Sequence, residues 1–337
     1  MHRLIVTTML AVFTAAAAHA QDITLKLSDQ FPLTHIVSQN GPQAFMKRVE
    51  ELIPGRVKFE HYPAQQLAKA VGQFDAVRNG LVDIALVCTC YIPERLPLST
   101  LGELPGLFDD TVKATKAYME LTANELQTNE YDRFDVQPLY VFFVTPYQLM
   151  MRSKDEITDV SQLSGLKLRV AGAGGDIIAN ELGGVGVRIP ASDLYLALER
   201  GTVDGTIFST PAVWAYKAEE VLGSWTDNAG LGAVGYVAFI RKDTWNKLPA
   251  DVQEALKAAS AETSIGIAEA YVKSENESYD KLRSLGKTVY HLSPEVKEQF
   301  GQRLATISET WVSEMEARNL PAQATIDTFK KYMESVD

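Results

Sequence analysis

The sequence predicts an α/β protein of two lobes that face each other across a cleft, with long C-terminal helices clasping both. Three observations predict it. The first 90 or so residues alternate between strand and helix periods, a short unit of the same kind recurs 121 positions later, and the last 90 or so residues are helical in pattern. The 337 residues, 46% apolar and 22% charged, have globular composition and room for about two domains. That balance excludes a disordered chain, a collagen and a coiled coil.

The chain opens with Met-His-Arg, continues with an apolar run from Leu4 to Ala18 and reaches Ala18-His19-Ala20. A positive start, an apolar stretch of about 15 residues and a small-x-small site are the parts of a secretory signal peptide. Residues 1–20 are read as that leader, cut after Ala20; the competing reading, a membrane anchor, has too short a run to span a bilayer. The mature chain is then exported, and the expected location is the periplasm.

After the leader, 23–28 alternates as a strand, and 40–52 places Ala44, Phe45, Val49 and Leu52 at helical spacing before Pro54-Gly55. A second strand covers 57–62, a helix 65–79 carries Leu67, Val71, Phe74 and Val77, and a buried strand follows Gly80 at 82–87. Strand, helix, strand, helix, strand is the open parallel α/β pattern, which takes ligands at the carboxyl ends of its strands. Ala76-Val-Arg-Asn-Gly-Leu-Val-Asp83 then finds a counterpart in Ala197-Leu-Glu-Arg-Gly-Thr-Val-Asp204, each preceded by a proline, Pro63 or Pro190. Four identities also fit two ordinary helix-Gly-strand junctions. As a repeat they give one lobe at 21–145, a second at 146–245, and clasping helices over 246–337 at 249–281, 294–317 and 326–336. Two such lobes suit a small molecule captured by hinge closure.

Charge and motifs narrow the function. The net charge is −11 and no run of five Lys or Arg occurs, so a nucleic acid or an anionic membrane finds no concentrated positive field. His2, His19, His35, His61 and His291 form no metal-ligand spacing, and no Gly-x-Ser-x-Gly, Walker loop or His-Glu-x-x-His is present. No cofactor, metal or catalytic set is expected, and the chain is read as not an enzyme. Cys88 and Cys90, two apart, are either two small buried side chains or a strained bridge, since i and i+2 on a strand stand about 6.5–7 Å apart.

The segment Leu163-Ser-Gly-Leu-Lys-Leu-Arg-Val-Ala-Gly-Ala-Gly-Gly175 carries the ligand chemistry. It reads as a strand at 166–170, with Lys167 and Arg169 on one face, and a glycine turn opening a helix at 176–182. An arginine at a strand end, beside backbone N–H groups at a helix N-terminus, is a site for a carboxylate. On these residues alone a surface arginine remains an open alternative. A dinucleotide fingerprint does not fit, because Gly172-x-Gly174-x-x-Ile177 lacks the third glycine.

Tyr62-Pro-Ala-Gln-Gln-Leu67, Gly80-Leu-Val-Asp83, Leu163-Ser-Gly-Leu-Lys-Leu-Arg169-Val, Pro190-Ala-Ser-Asp-Leu-Tyr-Leu-Ala-Leu198 and Gly201-Thr-Val-Asp-Gly205 follow one another behind a signal peptide. In that order and spacing the whole mature chain resembles the extracytoplasmic solute-binding subunits of tripartite ATP-independent periplasmic (TRAP) transporters, the DctP-like family. The resemblance implies a two-lobed periplasmic solute-binding fold of the Venus-flytrap type. It further implies an organic acid held in the cleft and delivered to a membrane permease of one small and one large subunit. Arg169 matches the family's carboxylate-binding arginine, and Arg152 an arginine often seen at the preceding connection. Gln30, Cys88, Tyr91, Tyr147 and Phe208 fall at cleft positions, with Trp214 nearby. Because Cys, Tyr and Phe stand where relatives for highly polar acids carry Glu, Arg and Asn, the expected ligand is a carboxylate with an apolar or aromatic body. A C4-dicarboxylate or a 2-oxo or 2-hydroxy acid is the alternative, as is an ABC-type or sensor-linked binding protein.

Overall fold

The computed structural model describes residues 23–336, so the leader read at 1–20 and its cleavage site lie outside the described residues. The described strands are, in chain order, β1 (Ile23–Ser28), β2 (Val57–Tyr62), β3 (Ile84–Cys88), β4 (Val136–Phe143), β5 (Gln148–Met151), β6 (Lys167–Val170), β7 (Val185–Arg188), β8 (Gly205–Phe208), β9 (Ser224–Thr226), β10 (Gly235–Arg241) and β11 (Thr288–Tyr290). They form two sheets, of order β2-β1-β3-β10-β4 and β11-β9-β5-β8-β6-β7. No helix among the described residues is long and apolar enough to cross a membrane.

The pairings of β1 with β2 and β3, and of β6 with β7 and β8, are parallel, as the alternation of strand and helix requires. Both sheets are nevertheless mixed, because β10 runs antiparallel to β3 and β4, and β5 antiparallel to β8 and β9. This corrects the purely parallel expectation, and it corrects the lobe boundaries. β10, inside the 146–245 segment, completes the first sheet, while β11, inside 246–337, extends the second. The chain crosses between lobes along two adjacent segments. The Tyr147 N–H donates to the Gly232 carbonyl at 2.7 Å, Leu231 N–H to Tyr147 O at 2.9 Å and Val144 N–H to Val234 O at 3.3 Å. A returning strand keeps the same two-residue period whichever sheet it joins, so the sequence pattern does not reveal the crossing.

The recurring unit is a structural repeat. In both copies the glycine is left-handed (Gly80 φ +75°, Gly201 φ +69°), as only glycine adopts without strain. Val82 and Val203 then donate to Ala76 and Ala197 at 3.3 Å. The aspartate that follows clamps its lobe's leading strand twice. Asp83 N–H donates to Lys26 O (3.0 Å) and its carboxylate accepts from Lys26 N–H (2.9 Å); Asp204 does the same to Lys167 at 2.7 and 2.8 Å.

The helix Ala250–Ser284 is 35 residues, about 50 Å at 1.5 Å per residue. It packs on β4, Ala44–Leu52 and Thr111–Leu121 in the first lobe, and on the 210–216 turn and β11 in the second. Val252, Leu256, Ala259, Ile267 and Leu282 are buried along it. The single helix expected over 294–317 is two, Pro294–Leu304 and Ile307–Glu316, since the former packs on Ala173–Glu181 of the second lobe and the latter joins the first lobe's core through Met315. The helix expected at 65–79 shrinks to Gln73–Arg78. Ala64 and Gln65 turn left-handed and the Gln65 carboxamide oxygen accepts from Ala70 N–H at 2.9 Å, leaving Leu67 and Val71 exposed.

Candidate functional site

Between the lobes, at the end of β6, Arg169 is 0% exposed. Its surroundings explain the burial: Leu168 and Val170 join the core on one face of the strand, and on the other Phe208 lies over the guanidinium. Nε donates to the Ile189 carbonyl at 2.7 Å, which fixes the plane of the guanidinium. Nη1 and Nη2 are buried with no hydrogen-bond partner among the described residues. A buried cation with two parallel N–H donors unanswered by protein is costly in isolation, and it matches the two oxygens of a carboxylate.

Aromatic rings surround that cation. The guanidinium carbon lies 4.9 Å from the Phe208 ring centre, in cation–π contact. Phe208 is 6.0 Å from Tyr147 and 6.3 Å from Tyr216, which is 5.4 Å from the His35 ring. The His35 ring lies 4.4 Å from Phe31, tilted by 35°, and Phe31 lies 5.5 Å from Tyr236. Tyr91, half-buried, accepts a long 3.4 Å bond from Ala191 N–H of the other lobe. Burial raises the Tyr147 and Tyr216 hydroxyls well above their ordinary range, so both stay neutral donors.

Of the residues expected in the cleft, the structure thus gathers Arg169, Phe208, Tyr147 and Tyr91. Gln30 is buried at the end of β1 with its Oε1 unpartnered. Cys88 is not a free pocket side chain but is bridged to Cys90, because the chain turns at Thr89 and shortens the Cα separation to 5.4 Å. Two expectations are corrected. The Trp214 indole N–H donates to Ser278 Oγ at 2.8 Å and carries the Lys281 ammonium over its ring, so it docks on the spanning helix. Arg152 is exposed beside Gly201 at the far end of β5.

The glycine turn is also occupied differently from expectation. Helix Ala173–Glu181 does present backbone N–H groups, but Gly174 N–H donates to Glu103 Oε2 at 3.1 Å, and Gly175 N–H faces the same carboxyl. The anion at this helix N-terminus is a side chain from the first lobe. Burial pushes the Glu103 carboxyl up to about 7, against the lowering pull of the two N–H groups and Arg188. Gly172 meanwhile abuts Cys90, so the turn also meets the loop after β3.

A buried arginine with two unanswered donors among aromatic rings has the chemistry to pair with a small anion, and the family model that fits the chain is one of binding proteins. Bacterial extracellular solute-binding protein, family 7 (DctP), matches residues 28–314. The chain belongs to that family. This family 7 chain is similar to the C4-dicarboxylate-binding periplasmic protein DctP of Rhodobacter capsulatus, 26% identical over 328 residues and 95% of each chain. Among solved structures it is similar to a TRAP solute-binding protein from Rhodoferax ferrireducens with copurified benzoate (24% identity, TM-score 0.85, covering 93% of this chain and 98% of that one). A marine metagenome TRAP protein specific for aromatic acids, with 3-hydroxybenzoate, also superposes (21% identity, TM-score 0.87, covering 94% and 99%). At these identities the solved structures speak for the two-lobed fold.

Three residues of the family 7 cleft escaped the sequence reading. His35 and Tyr216 lie on the connections that follow β1 and β8, seven and eight residues past the strand ends, in the region where an α/β ligand site is expected. Glu103 carries no such signal, since its position depends on the lobes meeting.

Proposed function

We propose that the protein captures a monocarboxylate with an apolar or aromatic body between its lobes and hands it to the membrane subunits of a TRAP transporter. It is exported for this purpose by the leader at 1–20, cut after Ala20, and does no chemistry on its ligand. The observation that carries the reading is Arg169, wholly buried, with Nη1 and Nη2 unpartnered beneath Phe208. The benzoate and 3-hydroxybenzoate of the two superposed proteins support an aromatic body. The dicarboxylate named for the R. capsulatus relative is disfavoured here, because Glu103 already fills the helix N-terminus that would hold a second carboxylate. Family membership favours the TRAP reading over the ABC-type or sensor-linked one.

A thermal-shift screen of a few hundred organic acids tests this. A ligand at 100 times its Kd adds about 2.7 kcal/mol of stability, and aromatic monocarboxylates are expected to give the largest shifts. A screen in which only dicarboxylates respond, or recovery of a chemically converted ligand by mass spectrometry, would sink the proposal.

Affinity should also depend on pH through Glu103. Its carboxyl is raised to about 7 where the lobes meet, from an ordinary 4.5 when water reaches it. The closed form therefore binds more protons than the open one between those values. Closure is favoured most below 4.5, and the advantage is lost as pH rises through 7. Benzoate affinity measured from pH 6 to 8 should fall, and Glu103→Gln, which still accepts from Gly174, should flatten the profile. An unchanged slope in the variant would remove Glu103 from the account.

A further inference from the structure

His35 occupies an unusual position for a histidine. It precedes the helical stretch 36–52, where its Nδ1 accepts the Val37 N–H at 3.0 Å and so caps the helix. Accepting at Nδ1 puts the ring proton on Nε2. The side chain is 1% exposed, and burial drives its pKa down to about 3, so the ring stays neutral with one N–H donor. That Nε2 has no partner among the described residues. A buried donor left unanswered costs about 1–3 kcal/mol, a penalty a structural cap alone does not require, since asparagine caps as well.

The ring belongs to the aromatic row of the cleft. Tyr216 stands between His35 (5.4 Å) and Phe208 (6.3 Å), and Phe208 in turn carries the Arg169 guanidinium. Arg169 and His35 are thus the two ends of one wall, one contributed by each lobe. At the His35 end Asp29 is buried, bonded to His61 at 2.6 Å, and adds to the burial that raises the neighbouring Tyr216 hydroxyl. A neutral donor beside a buried carboxylate accepts a neutral oxygen and repels a second anion.

We propose that His35 is a specificity-determining residue. Its Nε2–H donates to a neutral oxygen, a hydroxyl or a carbonyl, at the end of the ligand remote from the carboxylate held by Arg169. This rests on the monocarboxylate reading and narrows it to oxygen-substituted acids. It also ties recognition to closure, because donor and guanidinium sit on opposite lobes.

The test is calorimetry on the mature chain with benzoate, 3-hydroxybenzoate, 4-hydroxybenzoate and benzene-1,3-dicarboxylate. The wild type should bind one hydroxybenzoate roughly tenfold or more tighter than benzoate, and the dicarboxylate more weakly than either. His35→Asn keeps a capping oxygen for Val37 N–H but is too short to place a donor where Nε2 stands. It should melt within a few degrees of wild type and lose the hydroxybenzoate advantage over benzoate. The Nε2–H proton resonance of the wild type should move with the hydroxybenzoate and not with benzoate, which a purely structural histidine would not show. Benzoate binding with no hydroxybenzoate advantage, or an advantage that survives His35→Asn, overturns this assignment alone. Binding of none of the four overturns the monocarboxylate reading with it.

Discussion

Arg169→Ala is expected to weaken binding of an aromatic monocarboxylate by roughly 30- to several-thousand-fold, the equivalent of about 2–5 kcal/mol. The magnitude follows from burial. With the lobes together Arg169 is 0% exposed and Phe208 covers its face, so the ligand carboxylate it meets is equally dry. Removing the guanidinium leaves that carboxylate desolvated and unpaired, which a cleft of rings cannot repair. Arg169→Lys should recover only part of the loss, because an ammonium offers a point charge where two parallel N–H bonds are needed. The same substitutions should move the ligand-free melting temperature by only a few degrees, since the lost Nε bond to Ile189 and the Phe208 contact are offset by removal of a buried cation whose Nη1 and Nη2 have no protein partner. A calorimetric Kd for Arg169→Ala within threefold of wild type would falsify the assignment. A large fall in melting temperature without ligand would instead make Arg169 a structural residue.

That combination was legible in part. The strand and glycine turn around Arg169, and the repeat ending in Asp83 and Asp204, could be read because they are local: period-two apolar positions, a left-handed glycine, an aspartate at a fixed offset. What the sequence hid is non-local. β10 is a near-continuous apolar run, buried along almost its whole length, that either sheet could take, and only its bonds to β3 and β4 place it in the first sheet. Glu103 reaches Gly174 across 71 positions of chain, and no propensity encodes such a meeting. Cys88 and Cys90 were ambiguous because strand geometry sets them too far apart, and the turn at Thr89 decides the matter. Trp214 and Arg152 show the opposite error: residue type at a family position suggested a ligand contact, while their actual neighbours are the spanning helix and a surface glycine.

The glycine turn carries the second large effect. Gly172 is extended (φ −140°, ψ −164°), a conformation any residue adopts, so backbone strain does not explain a glycine there. Space does. A Cβ at Gly172 would stand 3.0 Å from Cys90 Cβ and 3.1 Å from its carbonyl carbon, with the carbonyl oxygen nearer still. Cys90 is held by its bridge to Cys88 and is 1% exposed, so it has little freedom to retreat. The three nearest atoms all belong to Cys90 of the first lobe, so Gly172→Ala obstructs the approach of the second lobe to the first. Overpacking of this kind costs about 1–3 kcal/mol, and here it falls on the closed form alone. Affinity should drop by roughly 5- to 150-fold, as differential binding to the two forms requires, while the ligand-free melting temperature stays near wild type. Gly172→Val should go further and hold the protein open. Small-angle scattering at saturating ligand would then report the radius of gyration of the ligand-free protein. A Gly172→Val protein that compacts on ligand addition like wild type would show that the lobes close without bringing this turn against Cys90.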